Sequence, residues 1–237
     1  MSEKVVVIVG ATGGIGRATA QTLAKSGYPL VLAARNPAAL EVLAQSCLEL
    51  GADGVLSVSV DITVKSQVEA LFAKAKDHYG QVDVVINSAG MGRLKPIQTL
   101  TEEEFDQMIA LNLKGTFLVS QAAALAFGTL GGHIFNIPGI LGQYPMATAA
   151  GYCASKFGVV GLTKSMALDL KRSNVRFTLL YLGGIDSPFW DEAGMKVQRD
   201  KMLRPEQVAH AIAFALSLES PAIPTELVIQ PESHVFL

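Results

Sequence analysis

The segment Gly10-Ala11-Thr12-Gly13-Gly14-Ile15-Gly16 constrains the fold more than any other stretch of this 237-residue chain. It joins an apolar, β-branched run, Lys4–Val9, to a segment of helical period, Gly14–Ser26, in which Ile15, Ala18, Thr19, Thr22 and Leu23 share one face. Glycines at such a junction let the backbone turn sharply and approach a pyrophosphate. The helix N-terminus then offers unpaired N–H groups and the positive end of its dipole. A Walker-type loop would need Lys followed by Ser or Thr, and Arg17-Ala18 does not supply it. A tight turn with no ligand also uses glycine; the position at the head of a β–α–β pattern favours the phosphate reading.

That pattern continues along the chain. Strands are predicted at Leu30–Ala34, Val55–Val60, Val82–Asn87, His133–Ile137, Val175–Tyr181 and Thr225–Ile229. Helices are predicted at Pro37–Leu50 (with Asn36 as N-cap), Thr63–Tyr79, Thr101–Phe127, Gly151–Arg172 and Pro205–Ser217. Thr101 and Glu104 form a capping box, and a break or bend is expected near Gly115. Continuous apolar strands alternating with helices mean a parallel sheet covered on both faces. The expected fold is therefore α/β, Rossmann-like and doubly wound, with seven parallel strands in one domain over residues 1–237.

Half the residues are apolar and 17% are charged, which rules out a disordered chain. A net charge of −2 gives no pull toward nucleic acid or anionic lipid, so neither is an expected partner. Cys47 and Cys153 make no disulfide framework, and His78, His133, His210 and His234 show no ligand spacing, so no metal is expected. Val5–Val9 is far shorter than the ~20 residues of a spanning helix, and no secretory signal is evident. A cytoplasmic protein is expected.

The spacing of Gly10, Gly14 and Gly16 resembles the short-chain dehydrogenase/reductase family, and further stretches agree in order. Asp61-Ile62 looks like the family's adenine contact, and Asn87-Ser88-Ala89-Gly90 resembles its Asn-Asn-Ala-Gly. Asn112 stands at the place of the catalytic asparagine, and Tyr152-Cys-Ala-Ser-Lys156 is similar to Tyr-x-x-x-Lys. Gly184-Ile185-Asp186-Ser187 resembles the Pro-Gly stretch near the nicotinamide, with Gly183 in place of the proline. The resemblance implies cofactor contacts from Gly10, Thr12, Gly13, Gly14, Ile15, Gly16, Asp61, Ile62, Asn87, Ala89, Gly90, Gly184, Ile185 and Ser187.

An acid at the end of the second strand accepts hydrogen bonds from a ribose 2′-OH, while arginine accommodates a 2′-phosphate. Here Ala34 occupies the acidic position and Arg35-Asn36 follows. A surface arginine needs no ligand, but the missing carboxylate and Arg35 both point to NADP(H).

Tyr152 and Lys156 are four apart and share a helix face. A neighbouring ammonium favours the phenolate and brings its pKa toward working pH. The resemblance gives Tyr152 proton transfer, Lys156 ribose contacts and electrostatic tuning, and Asn112 a water in a proton relay. It also implies a serine about thirteen residues before the tyrosine, where this chain has Gly139. Losing such a preorganised donor costs roughly 100- to 1000-fold. Three readings stay open: a water donates instead, Tyr144 or Thr148 substitutes, or the chain binds NADP(H) without turnover. Gly139→Ser is expected to raise carbonyl reduction if that donor is limiting.

The family places a mobile substrate loop where Asp186-Ser187-Pro188-Phe189-Trp190 begins, near 186–204. Phe189 and Trp190, with Ile140, Leu141, Tyr144 and Met146, line an apolar pocket or pack as core or subunit interface. The expected activity is NADPH-dependent reduction of a ketone or aldehyde carbonyl, or the reverse on an alcohol. The alternative is an NADP(H)-binding sensor or scaffold. By resemblance, helices Asp106–Phe127 and Gly151–Arg172 build a homodimer or homotetramer.

Overall fold

In the computed structural model, which describes residues 4–233, the first apolar run forms β1 (Val6–Val9), buried on both faces. Its period of two sends Val6 and Ile8 to one hydrophobic layer and Val5, Val7 and Val9 to the other. The same division recurs in β2 (Leu30–Ala34) and β4 (Val84–Asn87). Fully burying each such valine or leucine is worth about 1.5–3 kcal/mol, so a polar residue at any of them would be costly. The remaining strands are β3 (Val55–Ser59), β5 (Gly132–Asn136), β6 (Val175–Leu182) and β7 (Glu226–Ile229).

All seven strands are parallel, in the order β3-β2-β1-β4-β5-β6-β7. The connecting helices are α1 (Gly14–Ala24), α2 (Pro37–Glu49), α3 (Lys65–Tyr79), α4 (Glu102–Met108), α5 (Gly115–Phe127), α6 (Ala150–Asp169), α7 (Phe189–Glu192) and α8 (Pro205–Ser217). Residues of α1, α2 and α8 close one face of the sheet, and residues of α3 and α5 the other. The doubly wound single domain agrees with the expectation. The ends of the predicted elements differ by one or two residues, except that α6 stops at Asp169, before a short 3-10 turn at Lys171–Ser173, and the short α7 is not among the predicted helices.

Two local expectations meet the structure differently. The capping box is present: Thr101 Oγ1 accepts from Glu104 N, and Glu104 Oε2 accepts from Thr101 N, both at 3.2 Å. The bend near Gly115 is a π-helical stretch, Ile109–Lys114, inserted between α4 and α5. One extra residue per turn there carries Asn112. The helical run Glu102–Phe127 is long and apolar enough to cross a membrane by length and composition, but nearly half of its most apolar window packs inside the fold.

Candidate active site

Parallel strands aim their carboxyl ends at one edge, and a crevice opens where the connections diverge, here between the neighbours β1 and β4. A cleft of about 1190 Å³ lies along that edge. Ordinary small-molecule pockets hold ~300–1000 Å³, so there is room for more than one ligand.

The glycine loop forms one wall. Gly10 has φ +76, a left-handed backbone that glycine alone adopts without strain. A Cβ on Gly16 would stand 2.3 Å from Gly10 O, so α1 approaches the loop as closely as backbone allows. Helix geometry leaves the first-turn amides of Gly14, Ile15 and Gly16 without intrahelical partners, and all three residues line the cleft. A helix N-terminus with free amides at a glycine turn suits a pyrophosphate.

At the far end, Ala34 and Arg35 line the cleft after β2. The Arg35 side chain is exposed and, among the described residues, forms no ion pair. Asn36 is committed locally: its Oδ1 accepts from Ala39 N at 3.1 Å, capping α2. Asp61 also lines the cleft. Hydrogen bonds from Thr63 N and Oγ1 hold its carboxyl below the usual range, with the Arg35 charge adding to them.

Across the cleft, α6 presents Tyr152 and Lys156 on one face. Lys156 Nζ lies 5.5 Å from the Tyr152 ring centroid and donates to Ile137 O at 2.9 Å. Burial pushes the Lys156 ammonium down to about 8 and the Tyr152 phenol up from its ordinary value. Asn112 is buried and fully used: Nδ2 donates to Met91 O and Ser155 Oγ, and Oδ1 accepts from Met91 N. Beside the tyrosine, Leu94, Ile140, Leu141, Met146, Phe189 and Trp190 make an apolar wall.

Residues 4–198 match the family model described as short chain dehydrogenase. The chain belongs to the short-chain dehydrogenase family. It is an oxidoreductase of that family by this match and by its relatives. An uncharacterized oxidoreductase of Staphylococcus epidermidis is 34% identical over 232 residues, 98% of either chain. A sepiapterin reductase of Chlorobaculum tepidum is 35% identical over 241 residues, covering 98% of this chain and 97% of its own. Among solved structures, an alcohol dehydrogenase from the archaeon Thermococcus sibiricus complexed with 5-hydroxy-NADP superposes with a TM-score of 0.91. It is 30% identical over 99% of both chains.

Within this short-chain dehydrogenase most of the expected residues meet at the cleft, and four do not. Asn87 points inward: its Nδ2 donates to Thr116 Oγ1, which in turn donates to Asn112 O, so it braces β4 against the π-helical stretch. Tyr144 packs against the apolar layer outside the cleft lining, and Thr148 is exposed with its hydroxyl on Ala147 O. Asn112 itself is enclosed, because its side chain is spent on holding Met91 and Ser155. Gly10, Thr12, Gly13, Gly14, Ile15, Gly16, Arg35, Asn36, Asp61, Ile62, Ala89, Gly90, Gly139, Ile140, Tyr152, Lys156, Gly184, Ile185, Ser187, Phe189 and Trp190 all line it. Of the four histidines, His234 lies outside the described residues, and among those residues no group of His, Cys, Asp or Glu is placed to hold a metal. His133 is buried with Nε2 2.7 Å from Thr178 Oγ1.

Gly183 shows why its departure from proline is built in. Its N–H donates to Ile229 O at 2.8 Å, and a Cβ there would meet Pro231 Cδ at 2.6 Å. Proline has no N–H to donate. Leu94 and the adjoining Gly92-Arg93 were not legible as site residues, because a loop after β4 carries no periodicity.

The backbone at Gly139 bears on the expected effect of Gly139→Ser. Its φ of +68 and ψ of 175 fall in a region almost exclusive to glycine, although a Cβ would meet only Leu182 O, at 3.6 Å. A strain of about 2 kcal/mol in Gly139→Ser lowers Tm by roughly 4–8 °C. The expected result is a less stable protein with no gain in kcat/KM, checked by thermal melts beside NADPH consumption. A fully stable, faster variant would show that the loop relaxes into a serine-compatible backbone.

Proposed function

We propose that this oxidoreductase is an NADP(H)-dependent reductase of uncharged, apolar ketones or aldehydes, with Tyr152 as proton donor. The observation that carries the reading is the convergence of Tyr152, Lys156, the glycine cradle and Arg35 on one cleft. Gly10, Gly13, Gly14 and Gly16 would seat the pyrophosphate. Arg35 would take the 2′-phosphate, Asp61 and Ile62 the adenine, Lys156 the ribose hydroxyls, and Ser187 the carboxamide. Bound NADPH supplies a hydride to the carbonyl carbon.

The chain's own groups do the rest. Burial raises the Tyr152 pKa further above neutrality, so the phenol is protonated and gives its proton to the carbonyl oxygen as negative charge develops. The resulting phenolate is favoured by the Lys156 ammonium and regains its proton from solvent. Asn112 acts through position: it fixes Met91 and Ser155 and so the loop and helix on either side of the tyrosine. The wall of Leu94, Leu141, Met146 and Trp190 excludes water and selects an apolar substrate.

Gly139 supports a second reading, an NADP(H)-binding protein without turnover, because by resemblance it takes the place of the family's serine donor, and the Thr148 hydroxyl is engaged with Ala147 O. NADPH consumption against ketones, quinones and aldehydes, with wild type beside Tyr152→Phe, separates the two. Turnover lost in the variant supports the reductase; bound NADPH with no turnover in either protein supports the second reading. Leu125 on α5 and Leu168 on α6, 77% and 76% exposed, favour a dimer or tetramer built on those helices. A cytoplasmic location is consistent with both readings.

A further inference from the structure

The 186–204 segment is tied at its base and along α7. At its base, Ile185 bridges Leu203, with Asp186 N donating to Leu203 O at 2.8 Å and Leu203 N to Gly184 O at 2.9 Å. Trp190 Nε1 donates to Ile185 O at 2.7 Å. Further along, Arg93 Nη1 donates to Glu192 O, at the last residue of α7.

Between these points the Phe189 ring fills space that Gly92 leaves empty. A Cβ on Gly92 would stand 2.6 Å from Phe189 Cζ and 2.9 Å from Cε2. The same ring lies 5.5 Å from the Tyr152 ring, centroid to centroid, and 5.3 Å from that of Trp190. The loop beneath is fixed from the body of the protein: Asn112 grips both N and O of Met91, and Arg93 N donates to Met108 Sδ at 3.3 Å.

We propose that Gly92 and Arg93 form a rigid seat for the 186–204 segment, and that the seat sets substrate specificity by pressing Phe189 against the Tyr152 ring. Gly92 accepts the ring edge, Arg93 ties down the carbonyl end of α7, and the substrate pocket takes its shape from the two together. Gly92 is then a glycine for shape: its φ is not in the left-handed region, so alanine fits the backbone, the Phe189 ring must give way, and Tyr152 Cδ2, 3.3 Å from the added Cβ, must yield by only a few tenths of an ångström. The docking rests on geometry alone; its consequence for substrate rests on the carbonyl-reductase reading.

Trp190 is the single tryptophan of the chain and rides on α7, so its emission reports the docking without any turnover. Gly92→Ala is expected to shift that emission to the red in the ligand-free protein. It should raise KM for an apolar ketone about tenfold with kcat within roughly twofold, the size expected for a small displacement of a positioning element. Arg93→Gln, which adds no atom to the pocket, should shift emission in the same direction. In a Phe189→Ala background, Gly92→Ala should move emission and KM far less than in the wild-type background, since the severe collision is gone and only the milder contact with Tyr152 Cδ2 is left. Unmoved emission in both single variants, or effects of Gly92→Ala and Phe189→Ala that simply add, would overturn the seat. If no carbonyl is turned over, the emission series still decides it, and only the reductase reading falls.

Discussion

Tyr152→Phe is expected to lower NADPH-dependent carbonyl reduction by about a thousandfold, the effect of removing a positioned general acid. This corresponds to roughly 4 kcal/mol of transition-state stabilisation. The substitution removes one oxygen and little else. The ring keeps its place 5.5 Å from Phe189, with Lys156 Nζ as far from its centroid, and the glycine cradle and Arg35 are untouched. NADPH should therefore bind the variant within about twofold of wild type, so the loss falls on the proton-transfer step. Undiminished turnover in Tyr152→Phe would remove the proton-donor role.

The pH profile checks the same chemistry from the other partner. Burial holds the Lys156 pKa at about 8, so its charge is present below that pH and is lost as pH rises through it. Reduction, followed as kcat/KM, should decline above about pH 8, because that parameter reports the free enzyme's groups.

The second large effect is expected at the adenosine end. Arg35→Ala should weaken NADPH roughly 10- to 100-fold, the worth of a charge-assisted contact to phosphate, while changing NADH about twofold or less. Ala34 is buried and lines the cleft beside Arg35, so the further change Ala34→Asp places a carboxylate where a ribose 2′-OH would donate. The double variant should prefer NADH. Titration of nicotinamide fluorescence with both cofactors measures each arm. NADPH affinity unchanged by Arg35→Ala would show that its guanidinium is only a solvated surface group and that cofactor choice lies elsewhere.

Much of this site was readable because it consists of short-range patterns. The glycine loop is legible because a strand-to-helix turn that must admit backbone tolerates no Cβ, and Gly16 shows the closest approach. Tyr152 and Lys156 are legible because a helix places residues four apart on one face. Arg35 is legible because it directly follows a strand whose end must lie at the sheet's carboxyl edge. Each depends on a few consecutive residues.

The rest depended on residues far apart in the chain. Asn112 marks a catalytic position in sequence, but its partners, Met91 and Ser155, lie 21 and 43 residues away, and they decide that its side chain is a brace. Asn87, at the end of β4, turns inward because Thr116 on α5 accepts from its Nδ2 there. Gly139 reads as a missing hydroxyl until its φ of +68 shows a backbone that a serine would strain. Phe189 could be core, interface or pocket until Gly92 is seen to receive its ring.

The sequence by itself determined the doubly wound sheet and the chemistry available at its edge, because periodicity and turn geometry are local properties. Only the tertiary structure decided which polar side chains brace the interior, which line the cleft and how the 186–204 segment closes over Tyr152. Those outcomes are set by hydrogen-bond partners and packing surfaces that meet only when the sheet has formed.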